Sequence, residues 1–230
     1  MTEEERKTIT QAVQTAKKRI AEAAIASGRK PEDITLVAAT KMNDAERVRA
    51  AIEAGVDVCG ENRVQELLEK YEQHAYDGKP LHFIGTLQTN KVKYLIGKVS
   101  MIESVSSVKL AKVIDKEAAK AGICQDILLE LNIGREESKL GIDPDEIDSV
   151  IEQVAQLEHV RGLMAIPPKT QPNQEKTLYF DRMSQLFIDI SAKKYDNITM
   201  DCLSMGMSAD YCEAISCGAT IVRLGTALFG

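Results

Sequence analysis

The sequence predicts an α/β fold, in the form of a single (β/α)8 (TIM) barrel with an extra helix at the N-terminus. Short apolar segments rich in β-branched residues occur eight times, and segments with apolar residues at helical spacing separate them. Strands joined by helical crossovers run parallel, and 230 residues suffice for eight such units. No linker or low-complexity block divides the chain, so we expect one domain over residues 1–230. A doubly wound open sheet is the alternative.

The first half of the chain opens with a helix, because Thr2 and Glu5 have the spacing of a capping box. Apolar residues then recur at helical spacing as far as Gly28. Asn43 or Asp44 caps the next helix and Gly55 ends it. The strands are expected at 34–41, 56–60, 81–85 and 100–103, and the helices that follow them at 44–54, 61–76, 87–96 and 107–121.

The second half continues the alternation after a loop at 134–141, and Pro144 suits the first turn of the next helix. Few residues follow the eighth strand, so the N-terminal helix is a candidate to close the outer ring. The strands are expected at 126–133, 160–166, 198–203 and 220–224, and the helices at 144–158, 173–193 and 209–217.

Composition excludes several classes of protein. The chain has 29 Lys and Arg against 35 Asp and Glu, a net charge of −6, which argues against binding nucleic acid or an anionic membrane. No apolar segment reaches transmembrane length and the N-terminus is acidic, so we expect a cytoplasmic protein. Its five cysteines form no C-x-x-C pair and are expected to be reduced core thiols. Only three histidines are scattered along the chain, so we expect no metal site.

A lysine ends the first predicted strand. The apolar run 34–41 closes on Lys41, at the carboxyl end of the strand, where α/β proteins bind their ligands. Burial there would lower the pKa of the amine and make it a better nucleophile for Schiff-base chemistry. The alternative is a side chain that extends from the strand end into solvent.

The segments after strands seven and eight resemble phosphate-binding loops. Residues 204–210 and 223–227 each place a glycine beside a hydroxyl residue, at the position where barrels often bind phosphate. Backbone amides next to Gly225 and the hydroxyls of Ser208 and Thr226 could donate to an anion. Ser208 is also placed at the start of the following helix, so a simple N-cap in an ordinary turn is the alternative.

Arg223 lies within the apolar eighth strand, and a buried arginine needs a partner. The partner is either a carboxylate of the core or a bound ligand. Beside a heterocyclic nitrogen, the guanidinium would donate a hydrogen bond and leave that nitrogen unprotonated. Asn62, after the second strand, could reach the same mouth. His82 more often serves the core than a ligand, and Lys139, in a charged loop on the ligand face, could assist an anion.

A lysine, a phosphate site and an arginine at one mouth indicate a ligand with an aldehyde, a phosphate and a ring nitrogen. Pyridoxal 5′-phosphate (PLP) has all three. A class I aldolase is the alternative, since it also combines a barrel, a Schiff-base lysine and a phosphate loop. Such enzymes place the lysine on a later strand, and strands five to seven have no interior lysine here.

Motifs along the whole chain resemble those of the pyridoxal-phosphate homeostasis proteins, the YggS/PROSC family, whose fold is the N-terminal barrel of alanine racemase. The motifs are VAATK (37–41), GENRVQE (60–66), HFIG (82–85), LQTNK (87–91), SKLG (138–141), LSMGMS (203–208) and RLGTALFG (223–230). The resemblance implies that Lys41 forms the internal aldimine with PLP and that Arg223 faces the pyridine nitrogen. It also implies that Ser208, Gly225 and Thr226 hold the phosphate and that Asn62 lies near the ring.

The same resemblance favours a carrier over an enzyme. Racemases take a second acid/base from a C-terminal domain and a partner subunit, and neither is expected here, which also makes a monomer the expectation. The family implies intracellular PLP homeostasis, with storage or delivery to apo PLP-dependent enzymes, amino- and keto-acid balance, and no strong catalytic activity. A slow amino-acid racemase or another PLP-dependent enzyme is the alternative. An interaction protein that signals cofactor status is a third possibility.

Overall fold

Eight parallel strands form a closed barrel in the computed structural model, which describes residues 1–137, 139–157, 159–168, 177–195 and 197–230. Each strand pairs with the next in the sequence, and β8 pairs with β1, so the predicted fold class is confirmed and the open sheet is wrong. The strands are β1 (Thr35–Ala39), β2 (Val58–Glu61), β3 (Leu81–Phe83), β4 (Met101–Val105), β5 (Asp126–Leu131), β6 (Val160–Ala165), β7 (Ile198–Met207) and β8 (Ile221–Leu224).

Helices surround the barrel on its outer side. The predicted capping box of Thr2 and Glu5 starts the first helix, Asp44 caps the second, and Gly55 ends the second in the left-handed conformation. The α-helices are α1 (Glu3–Ala26), α2 (Ala45–Ala54), α3 (Val64–Glu72), α4 (Val108–Lys120), α5 (Ile147–Val154), α6 (Leu178–Ala192), α7 (Tyr211–Ser216) and α8 (Thr226–Phe229).

Several predicted segments differ from the structure. The helix expected at 87–96 is a short 3-10 helix, Thr89–Tyr94, and a 3-10 turn, Pro144–Glu146, precedes α5. Strand β7 continues to Met207, so residues 204–207 belong to the strand rather than to the loop after it. The expected helix limits at 158 and 173 lie outside the described residues.

The N-terminal helix completes the outer ring, as predicted. One face of α1 is buried through Ile9, Val13 and Ile20, and the helix packs against α2, α7 and α8. The guanidinium of Arg19 lies 5.2 Å from the centre of the Tyr211 ring on α7. This packing places the short helix α8 between the end of β8 and α1.

The barrel interior has an apolar layer and a polar layer. Alternate residues of the strands point inward, as the two-residue period of a strand requires. The polar layer lies toward the carboxyl ends and includes Glu103, Ser204 and Arg223, all buried. The apolar layer lies nearer the amino ends of the strands and consists of Val37, Val58, Met101, Leu128, Met164 and Ile221.

None of the helices in the described ranges has the length and apolar character needed to cross a bilayer. Among the five cysteines, Cys59 is buried, Cys124 is exposed, and Cys202, Cys212 and Cys217 are half-buried. The expectation of core thiols is therefore right for Cys59 and wrong for Cys124.

Candidate functional site

Lys41 lies just beyond the carboxyl end of β1, at the barrel mouth, as the sequence predicts. Its side chain is exposed, so the expectation that Lys41 is buried and desolvated is wrong. The carbonyl of Lys41 accepts a hydrogen bond from Asn43 Nδ2 at 2.9 Å. The next residue, Met42, has a φ of 62°, which is uncommon for a residue with a side chain. Lys41 therefore lies in a tight turn with a constrained backbone.

A buried lysine fixes the backbone on one side of Lys41, and a glutamate fixes it on the other. Lys70 Nζ, on α3, donates to the carbonyl of Thr40 at 2.8 Å. Glu66 Oε1 accepts from the amide of Met42 at 2.6 Å and from Lys70 Nζ at 2.7 Å. Both peptide groups that flank Lys41 are therefore held by side chains of one helix.

Glu61, at the end of β2, is the buried anion of the same cluster. Its Oε1 accepts from Lys70 Nζ at 2.6 Å, from Thr40 Oγ1 at 2.7 Å and from Tyr76 Oη at 3.2 Å. Burial raises the pKa of Glu61, and the hydrogen bonds from Lys70 and Thr40 oppose that effect. Burial and the neighbouring Glu61 raise the pKa of Tyr76. We call Thr40, Glu61, Glu66, Lys70 and Tyr76 the lysine clamp.

The two predicted phosphate loops meet. Ser208 Oγ accepts hydrogen bonds from the amides of Gly225 at 3.2 Å and Ala227 at 3.1 Å. Asp210, not Ser208, is the residue before α7, and its Oδ1 accepts from the amide of Met207 at 2.7 Å. The alternative in which Ser208 caps the following helix is wrong. Ser208 Oγ, in the loop after β7, instead accepts hydrogen bonds from two backbone amides of the segment after β8.

Arg223 finds a carboxylate partner in the core. Its Nη1 lies 3.6 Å from Glu103 Oε2 and donates to Ser204 Oγ, and its Nη2 donates to the carbonyl of Ala165 at 2.9 Å. Burial lowers the pKa of Arg223, whereas the carboxylates of Glu103, Glu130 and Asp210 act to raise it. The first of the two possibilities left by the sequence, a core carboxylate, is thus present.

His82 serves the same buried network. Its Nδ1 lies 2.7 Å from Glu103 Oε1, and Ser204 Oγ donates to Glu103 Oε2 at 2.6 Å. Burial acts to raise the pKa of Glu103, but His82, Arg223 and Ser204 hold it below the ordinary value. His82 is therefore paired in the core through its Nδ1, and its partner Glu103 is also the carboxylate nearest to Arg223.

Asn62 follows β2 and presents a buried oxygen, Oδ1, that has no hydrogen-bond partner among the described residues. Gly85, after β3, is needed beside it, because a Cβ at Gly85 would lie 2.1 Å from the carbonyl oxygen of Asn62. A buried polar atom without a partner is uncommon in a native protein and is typical of ligand sites.

The predicted residues lie on four adjoining strands, in the order β7, β8, β1 and β2. The register pairs Val37 with Arg223 and Ala38 with Leu224. A methyl group built on Gly225 would lie 3.6 Å from the Cβ of Ala39, two residues before Lys41. The structure thus brings Lys41, Asn62, Ser208, Arg223, Gly225 and Thr226 to one arc of the mouth.

Lys139 belongs to the loop after β5, which β6 separates from this arc. Its Nζ is paired with Glu136 and lies 3.5 Å from the carbonyl of Ile166. Asn132 holds the loop through its side-chain oxygen, which accepts from the amide of Glu136 at 3.1 Å. The preceding motif residue, Ser138, lies outside the described residues. An anion-binding role for Lys139 stays a prediction.

The described residues fit a phosphorylated ring compound with an aldehyde. Ser208, the amides of Gly225 and Ala227, and the exposed hydroxyl of Thr226 supply donors for a phosphate. Arg223 supplies a buried cation in the polar layer at the carboxyl ends of the strands, and Lys41 supplies an accessible amine. This set of donors suits PLP.

Residues 6–230 match the family model described as alanine racemase, N-terminal domain. A pyridoxal phosphate homeostasis protein of Aquifex aeolicus (strain VF5) is 44% identical over 214 residues, which cover 92% of this chain and 93% of that protein. The chain belongs to the pyridoxal phosphate homeostasis protein family. The resemblance given by the motifs is confirmed.

Two solved structures are similar to this chain, one a member of the same family and the other an alanine racemase. PipY of Synechococcus elongatus PCC7942, with PLP bound, is 32% identical and superposes with a TM-score of 0.79, covering 92% of this chain and 100% of that one. An alanine racemase of Clostridium difficile 630 is 17% identical with a TM-score of 0.72, covering 96% of this chain and 56% of that one. The second likeness shows the shared fold alone.

Sequence reasoning missed the lysine clamp and Glu103. A signal was available, since Glu61 ends an apolar strand and Lys70 falls on the buried side of a helix, and buried charges need partners. The pairing of Lys70 with Glu61 and Thr40 depends on how α3 folds back over β1 and β2 in this family member. No local pattern gives that contact.

Proposed function

We propose that this chain binds PLP at the barrel mouth as a Schiff base on Lys41 and takes part in intracellular PLP homeostasis, storing or delivering the cofactor without strong catalysis. The observation that carries the proposal is the arc of β7, β8 and β1. It combines amide and hydroxyl donors at Ser208 and Gly225, the cation of Arg223, and the amine of Lys41. The PLP-bound structure of PipY supports the choice of ligand.

Each residue of the arc has a separate task. PLP supplies an aldehyde that condenses with an amine, forming a C=N bond and releasing water. Ser208, Thr226 and the amides of Gly225 and Ala227 bind the phosphate. The lysine clamp fixes the backbone of Lys41 so that its amine meets the aldehyde. Asn62 Oδ1, which has no partner in the described part of the chain, accepts a hydrogen bond from the ligand or from a water molecule at the ring.

Arg223 limits the chemistry that the site supports. A guanidinium donates hydrogen bonds and does not give up its proton, so a ring nitrogen beside it stays unprotonated and withdraws electrons weakly. Glu103 and Ser204 hold the guanidinium in place. This arrangement supports a tethering role for Lys41. We further propose a cytoplasmic monomer whose partners are apo PLP-dependent enzymes, and through them an influence on amino- and keto-acid balance.

The Schiff base is tested by absorbance after PLP is added. The wild-type protein should show the band of a protonated Schiff base, and Lys41→Ala should lack it. Lys112→Ala, an exposed lysine on the outer helix α4, is the matched control and should keep the band. Persistence of the band in Lys41→Ala would show that the assignment of Lys41 is wrong.

Delivery is tested by mixing the PLP-loaded protein with an apo aminotransferase and following recovery of its activity. The aminotransferase should recover more activity than it does with only the PLP that the loaded protein releases into buffer. Steady turnover of an L- or D-amino acid at ordinary enzyme rates, dependent on Lys41, would contradict the carrier function and favour the racemase alternative.

A further inference from the structure

A second inward carboxyl lies at the mouth besides Glu103. Glu130 is on β5, and its neighbours Leu129 and Leu131 pack outward against the helices. Leu128, two residues earlier than Glu130, belongs to the apolar layer inside the barrel. Because alternate residues of a strand share a face, Glu130 points into the barrel one layer above Leu128. Its side chain is half-buried.

Glu103 and Glu130 differ in their partners. Glu103 is bonded by His82 and Ser204 and lies 3.6 Å from Arg223 Nη1. Among the described residues, none donates a hydrogen bond to the Glu130 carboxyl or forms an ion pair with it. Arg223 acts on Glu130 through its charge, while its two terminal nitrogens are bonded to Ser204 and to the Ala165 carbonyl.

The surroundings of Glu130 leave it poised to take up a proton. Burial raises its pKa to about 7, and the attraction of Arg223 offsets that effect only in part. The neighbouring strands add Glu103 from β4 and the uncharged Met164 from β6, which is paired with Glu130 in register. Glu103 keeps a lowered pKa, so it stays ionised where Glu130 changes its charge.

A phosphorylated ring bound on Ser208 brings negative charge to the same mouth. Negative charge nearby disfavours the ionised form of the Glu130 carboxyl, so a bound ligand favours protonation of Glu130. By linkage, protonation of Glu130 favours binding of the ligand to the same extent. We propose that Glu130 makes loading of the site proton-linked: the protein takes up a proton on this carboxyl with a phosphorylated pyridoxal ligand and loses both together. This inference rests on the proposed function of the site.

The test compares wild type with Glu130→Gln, in which an uncharged amide replaces the protonated acid. Pyridoxine 5′-phosphate is the first probe, because it has no aldehyde and so removes Lys41 chemistry from the measurement; PLP is the second. Dissociation constants are measured by fluorescence from pH 6 to 8.5 at constant ionic strength. The ligand's own titration affects both proteins equally. The ratio of the two dissociation constants therefore reports the contribution of residue 130 alone.

The two proteins should bind pyridoxine 5′-phosphate alike near pH 6. Above pH 7 the wild type should weaken relative to Glu130→Gln, by at most about tenfold per pH unit for a single proton. Calorimetry at pH 7.5 in two buffers of different ionisation enthalpy should show proton uptake by wild type that the variant lacks. Tight binding with a pH-independent ratio would overturn this inference and leave the proposed function standing. Failure of both proteins to bind either probe would overturn both.

The free protein gives a second readout that needs no ligand. A carboxyl whose pKa is higher in the folded than in the unfolded state weakens folding as pH rises from 4.5 to about 7. Glu130→Gln should therefore raise the melting temperature at pH 8 more than at pH 5. Glu137→Gln, in the exposed loop after β5, is the control and should change little at either pH. Equal shifts at both pH values for Glu130→Gln would contradict the proton linkage.

Discussion

The β1–β2 side and the β7–β8 side of the barrel mouth are built from different interactions. Beside Lys41, two buried charges and a second glutamate hold the backbone: Lys70 bonds Thr40 and Glu61, and Glu66 bonds Met42. Beside Thr226, a single neutral hydroxyl, that of Ser208, bonds two amides. One side is a buried charged cluster, and the other is a partly exposed set of donors.

The difference matches two demands on a carrier. An amine that must meet an aldehyde needs a fixed backbone, and buried, paired charges fix it because a displacement would separate a buried charge from its partner. A phosphate that must enter and leave needs hydrogen-bond donors that can exchange acceptors. Such donors bond a protein oxygen in the free protein and a phosphate oxygen in the loaded one. Changes to the first side should therefore alter stability, and changes to the second should alter affinity.

Lys70→Met should have the largest effect. Removing the ammonium leaves Glu61 buried without its cation, and breaking a buried pair costs about 3–5 kcal/mol of the free energy of unfolding. Denaturation in urea measures the loss. Lys120→Met is the control, since Lys120 pairs with Glu117 on the surface of α4 and should matter little. Similar losses in the two variants would contradict the claim that the buried pair of Lys70 and Glu61 stabilises the fold more than a surface ion pair does.

Glu103→Gln should come next, because Glu103 is fully buried below both sides. Loss of its charge beside Arg223 should lower the free energy of unfolding by about 2–3 kcal/mol at pH 7. The pKa of Glu103 is lower in the folded state than its ordinary value of 4.5, so its stabilising contribution is present above pH 4.5 and declines as pH falls below it. Thermal unfolding at pH 7 and pH 3.5 should show a smaller difference at the lower pH. A constant difference would contradict the ion pair.

Ser208→Ala should have the smallest effect on stability and a clear effect on affinity. One partly exposed hydroxyl acceptor is lost, so the melting temperature should change little. The dissociation constant for PLP should rise about tenfold, which corresponds to about 1.4 kcal/mol. Fluorescence titration measures it, and Ser216→Ala, exposed on α7, is the control. A large loss of stability with unchanged affinity would reverse the comparison.

The sequence predicts the β7–β8 side of the mouth, because that side depends on local sequence patterns. Glycine and hydroxyl residues at strand ends indicate Ser208, Gly225 and Thr226, and the alternation of strands and helices indicates the barrel. The charged side depends on contacts distant in sequence, such as Lys70 with Thr40, thirty residues away, and Arg223 with Glu103. The exposure of Lys41 and the 3-10 helix Thr89–Tyr94 are also set by tertiary packing.

The most direct measurement for the central claim is to locate the cofactor on the chain. The PLP-loaded protein is reduced with borohydride, which converts a Schiff base to a stable secondary amine, and its peptides are sequenced by mass spectrometry. We predict a pyridoxyl group on Lys41. A protein that binds PLP but carries the group on another lysine, or on none, would contradict the assignment of Lys41 as the tether.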